Sequence, residues 1–459
     1  MGALAEAMTR QRRSVTVGID IGTTSVKALA VDDDGCVLGR SRVSHRLLHP
    51  SPDFVEHDAK RAWLRGPLRA LGEVVDSAGS IAGICVAGMV PSLTAVDLRG
   101  IPLGPGILYG DARGMLGGLE ELSDALGGRT AEGMLRWLKE AVPRACGFWP
   151  AQAVALNGIA GVGAVDGSVA VSMGSLLSRG KWDEGLLESI GVGVESLPEV
   201  VDMGAPVGRV PEGRLGYKAV VAGGTVDALC DQIVSGALES GDVLVVFGAT
   251  LVVWAVVDQW MEVDGLWTVP HTVEGKVLIG GPSNAGGLFV DWARAMLRKS
   301  GRVVDPELVP VWLPYLRGER VPFHDPGRRS SLSGLHISHG PNAAMRAAYE
   351  ASGFVIRNLL ERSGIRAKRI VASGGGTRDE KWMQAVADTT GIPVELVQVP
   401  EGAALGAAFV ARVAAGLEES VVAAVRWAKV RERIEPDERW TEAVSRRYET
   451  FCRASEAAQ

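Results

Sequence analysis

Val15 to Asp32 reads VTVGIDIGTTSVKALAVD, two apolar runs around a short polar tip. The runs predict two strands joined by a tight turn. The tip is Asp20-Ile21-Gly22-Thr23-Thr24-Ser25, with Lys27 close behind. Gly22 lets the backbone turn sharply and leaves space for a ligand to approach. Thr23, Thr24 and Ser25 crowd hydroxyl and N–H donors into one turn, a set that suits phosphate oxygens. Asp20 ends the first strand, where a carboxylate can hold a magnesium ion through its waters. The same residues also fit a plain surface hairpin with a Ser/Thr-rich turn, and the pattern alone leaves both readings open.

Working outward, 459 residues exceed one ordinary core and predict two large domains. With 47% apolar and 22% charged residues the composition is globular. A net charge of −6 gives no basic footprint, which argues against nucleic acid as the main partner. The 59 glycines are spread through the chain and point to many turns and close backbone approaches. Cys36, Cys85, Cys146, Cys230 and Cys452 are far apart, odd in number and outside any CxxC or Cys/His cluster. They indicate neither a disulfide framework nor a zinc site, and a reducing, cytoplasmic setting fits them. The opening MGALAEAMTRQRR contains an acidic residue and no long apolar core, so residues 1–14 read as an extension and not as a secretory signal. Without a run of about 18 apolar residues, no membrane span is expected.

Further along, Gly39 to Ser44 predicts a third strand and His57 to Asp76 a helix, with Trp63, Leu64, Leu68 and Leu71 on one face. Ile81 to Gly88 and Leu93 to Val96 read as strands, with Met89-Val90-Pro91-Ser92 between them. This succession is an α/β pattern. Ile107 and Leu108 lead to Asp111 and Arg113, an acid and a base at a strand end. They are either a sugar-binding couple or a surface ion pair. Leu116 to Leu126 and Gly133 to Val142 look helical, Ala151 to Gly167 is weakly patterned, and Glu184 to Ile190 is again helical. The strand Ala219 to Ala222 runs into Gly223-Gly224-Thr225-Val226-Asp227-Ala228 and a helix through Ala237. Asp227 falls near that helix's N-terminus, where the dipole favours a carboxylate; an ordinary cap would look the same.

Asp242 to Val257 repeats the opening design around Gly248-Ala249-Thr250, so a second domain is expected to start near Glu239. Duplicated halves leave a cleft that suits small ligands. Then come a helix within Ser283 to Leu297, a Pro-rich charged loop from Trp312 to Pro322, and a long helix from Asn342 to Ser363. The strand Arg369 to Ala372 opens into Ser373-Gly374-Gly375-Gly376-Thr377 and the helix Glu380 to Thr389. Three glycines there let the backbone lie flat against a planar or phosphorylated ligand. Glu401 starts a helix rich in Ala and Gly, and the charged tail from Leu417 reads as solvated helices.

DIGTTSVK, PYLRGERVPFHDP, SGGGTRDEKWMQAVAD and EGAALGAA, in this order, resemble the FGGY family of carbohydrate kinases over about residues 15 to 452. The resemblance implies two duplicated actin-like (ribonuclease H-like) α/β domains with a cleft between them, 15–238 and 239–459. It implies ATP and magnesium as cofactors, a small sugar as substrate, closure of the domains around both ligands, and a homodimer at most by analogy. Asp20 would organise magnesium. Gly22, Thr23, Thr24, Ser25 and Lys27 would meet ATP phosphates, as would Gly248 and Thr250. Gly374, Gly375 and Gly376 fall on the adenine and α-phosphate loop. Asp111 and Arg113 fall on the sugar-binding Asp-x-Arg, Met89 and Val90 on the substrate wall, and Asp227 on the catalytic base. No GxxxxGK[ST] occurs, in keeping with a fold that grips phosphate by hairpins.

Three departures stand out. Ala249 lacks the hydroxyl many relatives carry in the second hairpin turn. Met89-Val90-Pro91-Ser92 replaces the Gln-Met-His-Gly usual in xylulokinases, making the wall more apolar. Arg113 to Ser172 is shorter than in typical relatives. An ATP-dependent kinase of a ketopentose, related sugar or polyol is the leading expectation. A catalytically degenerate nucleotide or sugar sensor is the alternative.

Overall fold

The apolar alternation around the opening tip folds as read. In the computed structural model, which describes residues 14–51, 54–114, 131–211, 218–297 and 304–457, β1 (Val15–Ile21) and β2 (Ser25–Val31) form an antiparallel hairpin. β3 (Val37–Ser44) continues it. Helix α1 (Gly66–Ala78) starts later than the apolar spacing suggests. Glu56 and His57 are extended, and Lys60–Arg65 forms a single π-type stretch that leads into Pro67 at the helix start. Strand β4 (Ile81–Gly88) then enters beside β1 and parallel to it. After a mixed region, whose strands Ser92–Val96, Gly106–Leu108 and Gly147–Trp149 form a small separate sheet with Glu56–His57, come β5 (Pro206–Arg209), β6 (Val220–Ala222), the two-residue β7 (Thr225–Val226) and helix α2 (Asp227–Ser235). The sheet order is β5-β6-β4-β1-β2-β3, with β7 paired parallel to the far end of β4.

The second sheet is built to the same plan. β8 (Asp242–Phe247) and β9 (Leu251–Val257) form its hairpin, followed by β10 (Trp267–Pro270), β11 (Val277–Ser283) and helix α3 (Gly287–Met296). Helix α4 (Pro341–Ser363), β12 (Arg369–Ser373), helix α5 (Glu380–Thr390) and β13 (Val394–Val397) come next. Helix α6 (Gly402–Ala414), β14 (Val430–Ile434) and helix α7 (Thr441–Ala457) complete the chain. The order is β10-β11-β9-β8-β12-β13-β14, with β12 parallel to β8 as β4 is to β1. The duplication expected from sequence is thus present, and both sheets are α/β.

The chain forms two compact units. One runs to Val234 and includes Gly402–Trp427; the other holds Ser235–Glu401 and the chain from Ala428 onward. A single boundary near Glu239 therefore does not describe it. The reason lies in α6. Its small residues let it lie directly on the first sheet: a Cβ at Gly18 would meet the Ala404 carbonyl oxygen at 1.9 Å, and one at Gly83 the Ala411 carbonyl oxygen at 2.4 Å. The Thr16 hydroxyl donates to the Ala408 carbonyl at 2.8 Å.

Several expectations change. Trp312 belongs to a short strand, Val311–Leu313, paired with Ser331–Ser333, and not wholly to a loop. The weakly patterned stretch holds a helix, Ala151–Ala160, apolar on nearly all sides because nearly all of it is buried. The charged tail forms edge strand β14 and α7, whose Val444, Tyr448 and Phe451 are buried, with Arg447 paired to Glu350 at 2.7 Å. Its charges flank an apolar stripe at helical spacing, so α7 packs and is not simply solvated. The helix read at Leu116 to Leu126 lies outside the described residues. Among the described residues, no helix is long and apolar enough to cross a membrane. All five cysteines are free.

Candidate active site

Three parallel strands of the first unit end together. Ile21 pairs with Gly88, and Gly88 with Val226, so the turn after β1, Met89 after β4 and Asp227 after β7 emerge at one edge. Ligands of α/β sheets collect outside such carboxyl ends. Gln152, from the buried helix Ala151–Ala160, ties two of them: its amide donates to the Gly88 carbonyl at 2.9 Å and the Thr225 carbonyl at 3.2 Å. Sequence reasoning missed Gln152, although one buried amide in AQAVALNGIA was a signal.

Asp20 and Lys27 face each other across the hairpin in register, and Lys27 Nζ donates to Asp20 Oδ2 at 2.8 Å. The Asp20 side chain is 5% exposed and that of Lys27 32%. The Asp20 carboxylate raises the Lys27 pKa, against the effect of burial, with help from Asp231 and Asp227. Asp227 opens α2, partly buried, and its Oδ1 accepts from the Ala228 N–H at 2.7 Å. Burial first, and the Asp20 charge second, push its carboxyl up to about 6, while the Ala228 N–H and Lys27 pull it back. A carboxylate so tuned accepts a proton near neutral pH better than an ordinary one.

Asp20 Oδ1 is buried and has no hydrogen-bond partner among the described residues. That orphaned acceptor fits the waters of a magnesium ion. Among the described residues no three His, Cys, Asp or Glu side chains close into a direct ligand set.

The turn after β1 is closed by the Gly22 N–H on the Ser25 carbonyl at 3.1 Å. The Thr23 hydroxyl shares a hydrogen bond with Tyr109 at 2.8 Å, and Thr24 is exposed. Ser25 is placed differently from its neighbours in the turn. It is buried at the start of β2, and its hydroxyl accepts from Arg42 Nε at 3.3 Å.

Asp111 and Arg113 are also placed differently from either reading. Asp111 is 0% exposed. Its Oδ2 accepts from the Val55 N–H at 2.5 Å and Arg113 Nη2 at 2.6 Å, and its Oδ1 from the Arg113 N–H at 2.8 Å and Nε at 2.9 Å. Arg113 also reaches Glu56 at 2.7 Å and lies over the rings of Phe54 and Trp137. Burial alone would lower the guanidinium's pKa; Asp111 and Glu56 hold it above its ordinary value. This is a buried strut whose carboxylate oxygens are already used, neither a surface pair nor an open sugar contact. Met89 is buried in the core, and Val90, partly buried, packs in the cluster that includes Val226 and Trp137.

In the second unit, the Gly248 N–H bonds the Thr250 carbonyl at 3.0 Å. The start of α3 caps this turn from below: the Gly287 N–H bonds the Gly248 carbonyl at 2.9 Å and the Leu288 N–H the Ala249 carbonyl at 3.0 Å. Beside it, after β12, Gly374 has φ +93° and no room for a Cβ, which would meet Phe247 at 2.7 Å. At Gly376 a Cβ would strike Trp382 at 2.6 Å. Gly375, between them, is exposed. Two of the three glycines are therefore required by packing, and the third offers open backbone.

Residues 15–228 match the N-terminal domain, and residues 243–415 the C-terminal domain, of the FGGY family of carbohydrate kinases. The chain is 26% identical over 450 residues to a xylulose kinase of Bacillus subtilis, covering 88% of this chain and 89% of that one. It is 27% identical over 473 residues to a glycerol kinase of Ectopseudomonas mendocina, covering 92% and 94%. The structure of a xylulose kinase from Rhodospirillum rubrum superposes with a TM-score of 0.77 at 26% identity, over 96% of this chain and 98% of that one.

Proposed function

The chain belongs to the FGGY family of carbohydrate kinases, phosphotransferases with an alcohol acceptor, and from that premise we propose that it phosphorylates a ketopentose, a related sugar or a polyol with ATP. The observation that carries the reading is Asp227: a carboxylate at a shared strand edge, raised to about 6, beside the Asp20–Lys27 pair. Asp227 orients the acceptor hydroxyl and takes its proton as that oxygen attacks the γ-phosphorus. The bond from phosphorus to the β–γ bridging oxygen breaks, and ADP leaves. Little covalent help is needed, since positioning and charge neutralisation dominate phosphoryl transfer. Lys27 and the Gly22, Thr23 and Thr24 turn meet phosphate oxygens. Asp20 would hold a magnesium ion, which would supply further charge neutralisation when bound. Gly248, Thr250 and the Gly374, Gly375, Gly376 loop hold the rest of the nucleotide. Val90, partly exposed at the same strand edge, gives the acceptor an apolar neighbour, while Met89, buried in the core, backs it without meeting the acceptor, and Asp111 with Arg113 supports the site from within.

The test is a coupled ADP-release assay with Mg-ATP across ketoses, aldoses and polyols, run beside Asp227→Ala. Sugar-dependent turnover that the variant loses is the expected result and names the substrate class. ATP binding without turnover on any acceptor would overturn the kinase reading in favour of a sensor.

A further inference from the structure

His57 and Trp63 have no part in the chemistry above, yet they end at the phosphate turn. The Trp63 indole N–H donates to His57 Nδ1 at 3.0 Å. An indole N–H can only donate, so Nδ1 is the bare nitrogen and Nε2 carries the proton. That proton is donated to the Thr23 carbonyl at 2.8 Å. His57 and Trp63 are both fully buried, and burial, then His45 at 4.4 Å between ring centroids, push the His57 pKa down to about 4. Trp63 itself sits in the π-type stretch Lys60–Arg65, an irregularity frequent at functional sites, and its ring packs so closely on Gly106 that a Cβ there would come within 2.4 Å.

The peptide plane makes this relay consequential. In a trans peptide, the carbonyl of one residue and the N–H of the next point in opposite directions. Fixing the Thr23 carbonyl toward His57 therefore fixes the Thr24 N–H away from it. The Thr24 carbonyl is held in turn by the backbone N–H of His45 at 3.0 Å. We propose that His57, locked in one tautomer by Trp63, is a positioning residue that aims the Thr24 N–H at a nucleotide phosphate. This rests on the nucleotide reading of the turn given above.

The test compares His57→Gln, His57→Leu and Trp63→Phe in the full-length protein. Gln keeps an N–H for the Thr23 carbonyl; Leu does not. Hydrogen exchange over Asp20 to Lys27, measured without ligand, reads the brace itself. Mg-ADP calorimetry reads its consequence. His57→Leu is expected to speed exchange in the turn and weaken Mg-ADP binding about tenfold, with His57→Gln within about threefold of wild type. In wild type, ¹⁵N spectra of labelled histidine are expected to show His57 as a single Nε2–H tautomer, and Trp63→Phe is expected to give a mixture and faster turn exchange. This second variant keeps the proposal testable if His57→Leu does not fold. Unchanged exchange in His57→Leu or Trp63→Phe, or no rescue by Gln, overturns the brace. Faster exchange with unchanged Mg-ADP affinity leaves the brace and overturns the turn's phosphate role.

Discussion

Asp111→Asn separates a buried strut from a sugar ligand. The carboxylate is fully buried and accepts four hydrogen bonds, three of them from Arg113. Asn retains one oxygen, which can still serve the Arg113 N–H and Nε. Its new NH₂ would face the Val55 N–H and Arg113 Nη2, donor against donor. Arg113, with its side chain 3% exposed, keeps Glu56 as its charged partner among the described residues. Breaking a buried ion pair costs about 3–5 kcal/mol. The retained Glu56 bond and the Phe54 and Trp137 faces place this case near about 3 kcal/mol. For a unit of this size that lowers Tm by about 6–12 °C. Differential scanning calorimetry reads the loss, and acceptor KM is measured on the same preparation at a temperature where the variant is folded. We expect the Tm drop with acceptor KM within about threefold of wild type. An unchanged Tm with KM raised about tenfold would show Asp111 to be a substrate ligand and refute the strut.

Two further outcomes follow from the site. Folding raises the Asp227 carboxyl from 3.8 to about 6, so its ionised form opposes folding above that range and ceases to do so once both states are protonated, below about pH 4. Asp227→Asn should therefore raise Tm near neutral pH, lose that gain on acidification, and lower turnover by about 10²–10⁴-fold; a destabilisation independent of pH would contradict the assignment. Ala249→Thr should lower the KM for Mg-ATP about tenfold, the worth of one hydrogen bond to a charged group, and an unchanged KM would show that this position does not face phosphate.

Legibility followed the range of the interactions. The two hairpins and the helix opening at Asp227 were readable because apolar alternation and turn residues are local signals. Asp111 and Arg113 looked like exposed chemistry because nothing near them in sequence announces Phe54, Val55, Glu56 and Trp137, which bury them. Ser25 reads as part of the turn because it follows Thr24, whereas the pleat of β2 sends its hydroxyl to Arg42 on the neighbouring strand. By apolar spacing His57 reads as the first residue of a helix. Its meaning lies in bonds to Thr23, 34 positions away, and to Trp63, displaced by the π-type stretch.

The duplication also explains why one hairpin carries charge and the other does not. In the first, the pair one step back from the turn is Asp20 with Lys27. In the second, the pair at the same step is Val246 with Val252. The two hairpins thus share their backbone plan, and the charged pair is found in the first of them. A turn without its own charges must hold an anion by N–H groups, and the second turn's shape is fixed by backbone bonds alone, from Thr250 and the first residues of α3. A side chain at position 249 adds to such a grip but does not build it, which is why Ala249 is compatible with an intact turn. The proposed base Asp227, the proposed magnesium carboxylate Asp20 and Lys27 all fall on the first unit, so on that proposal loss of catalysis is expected to be read at these three before it is read at the second hairpin.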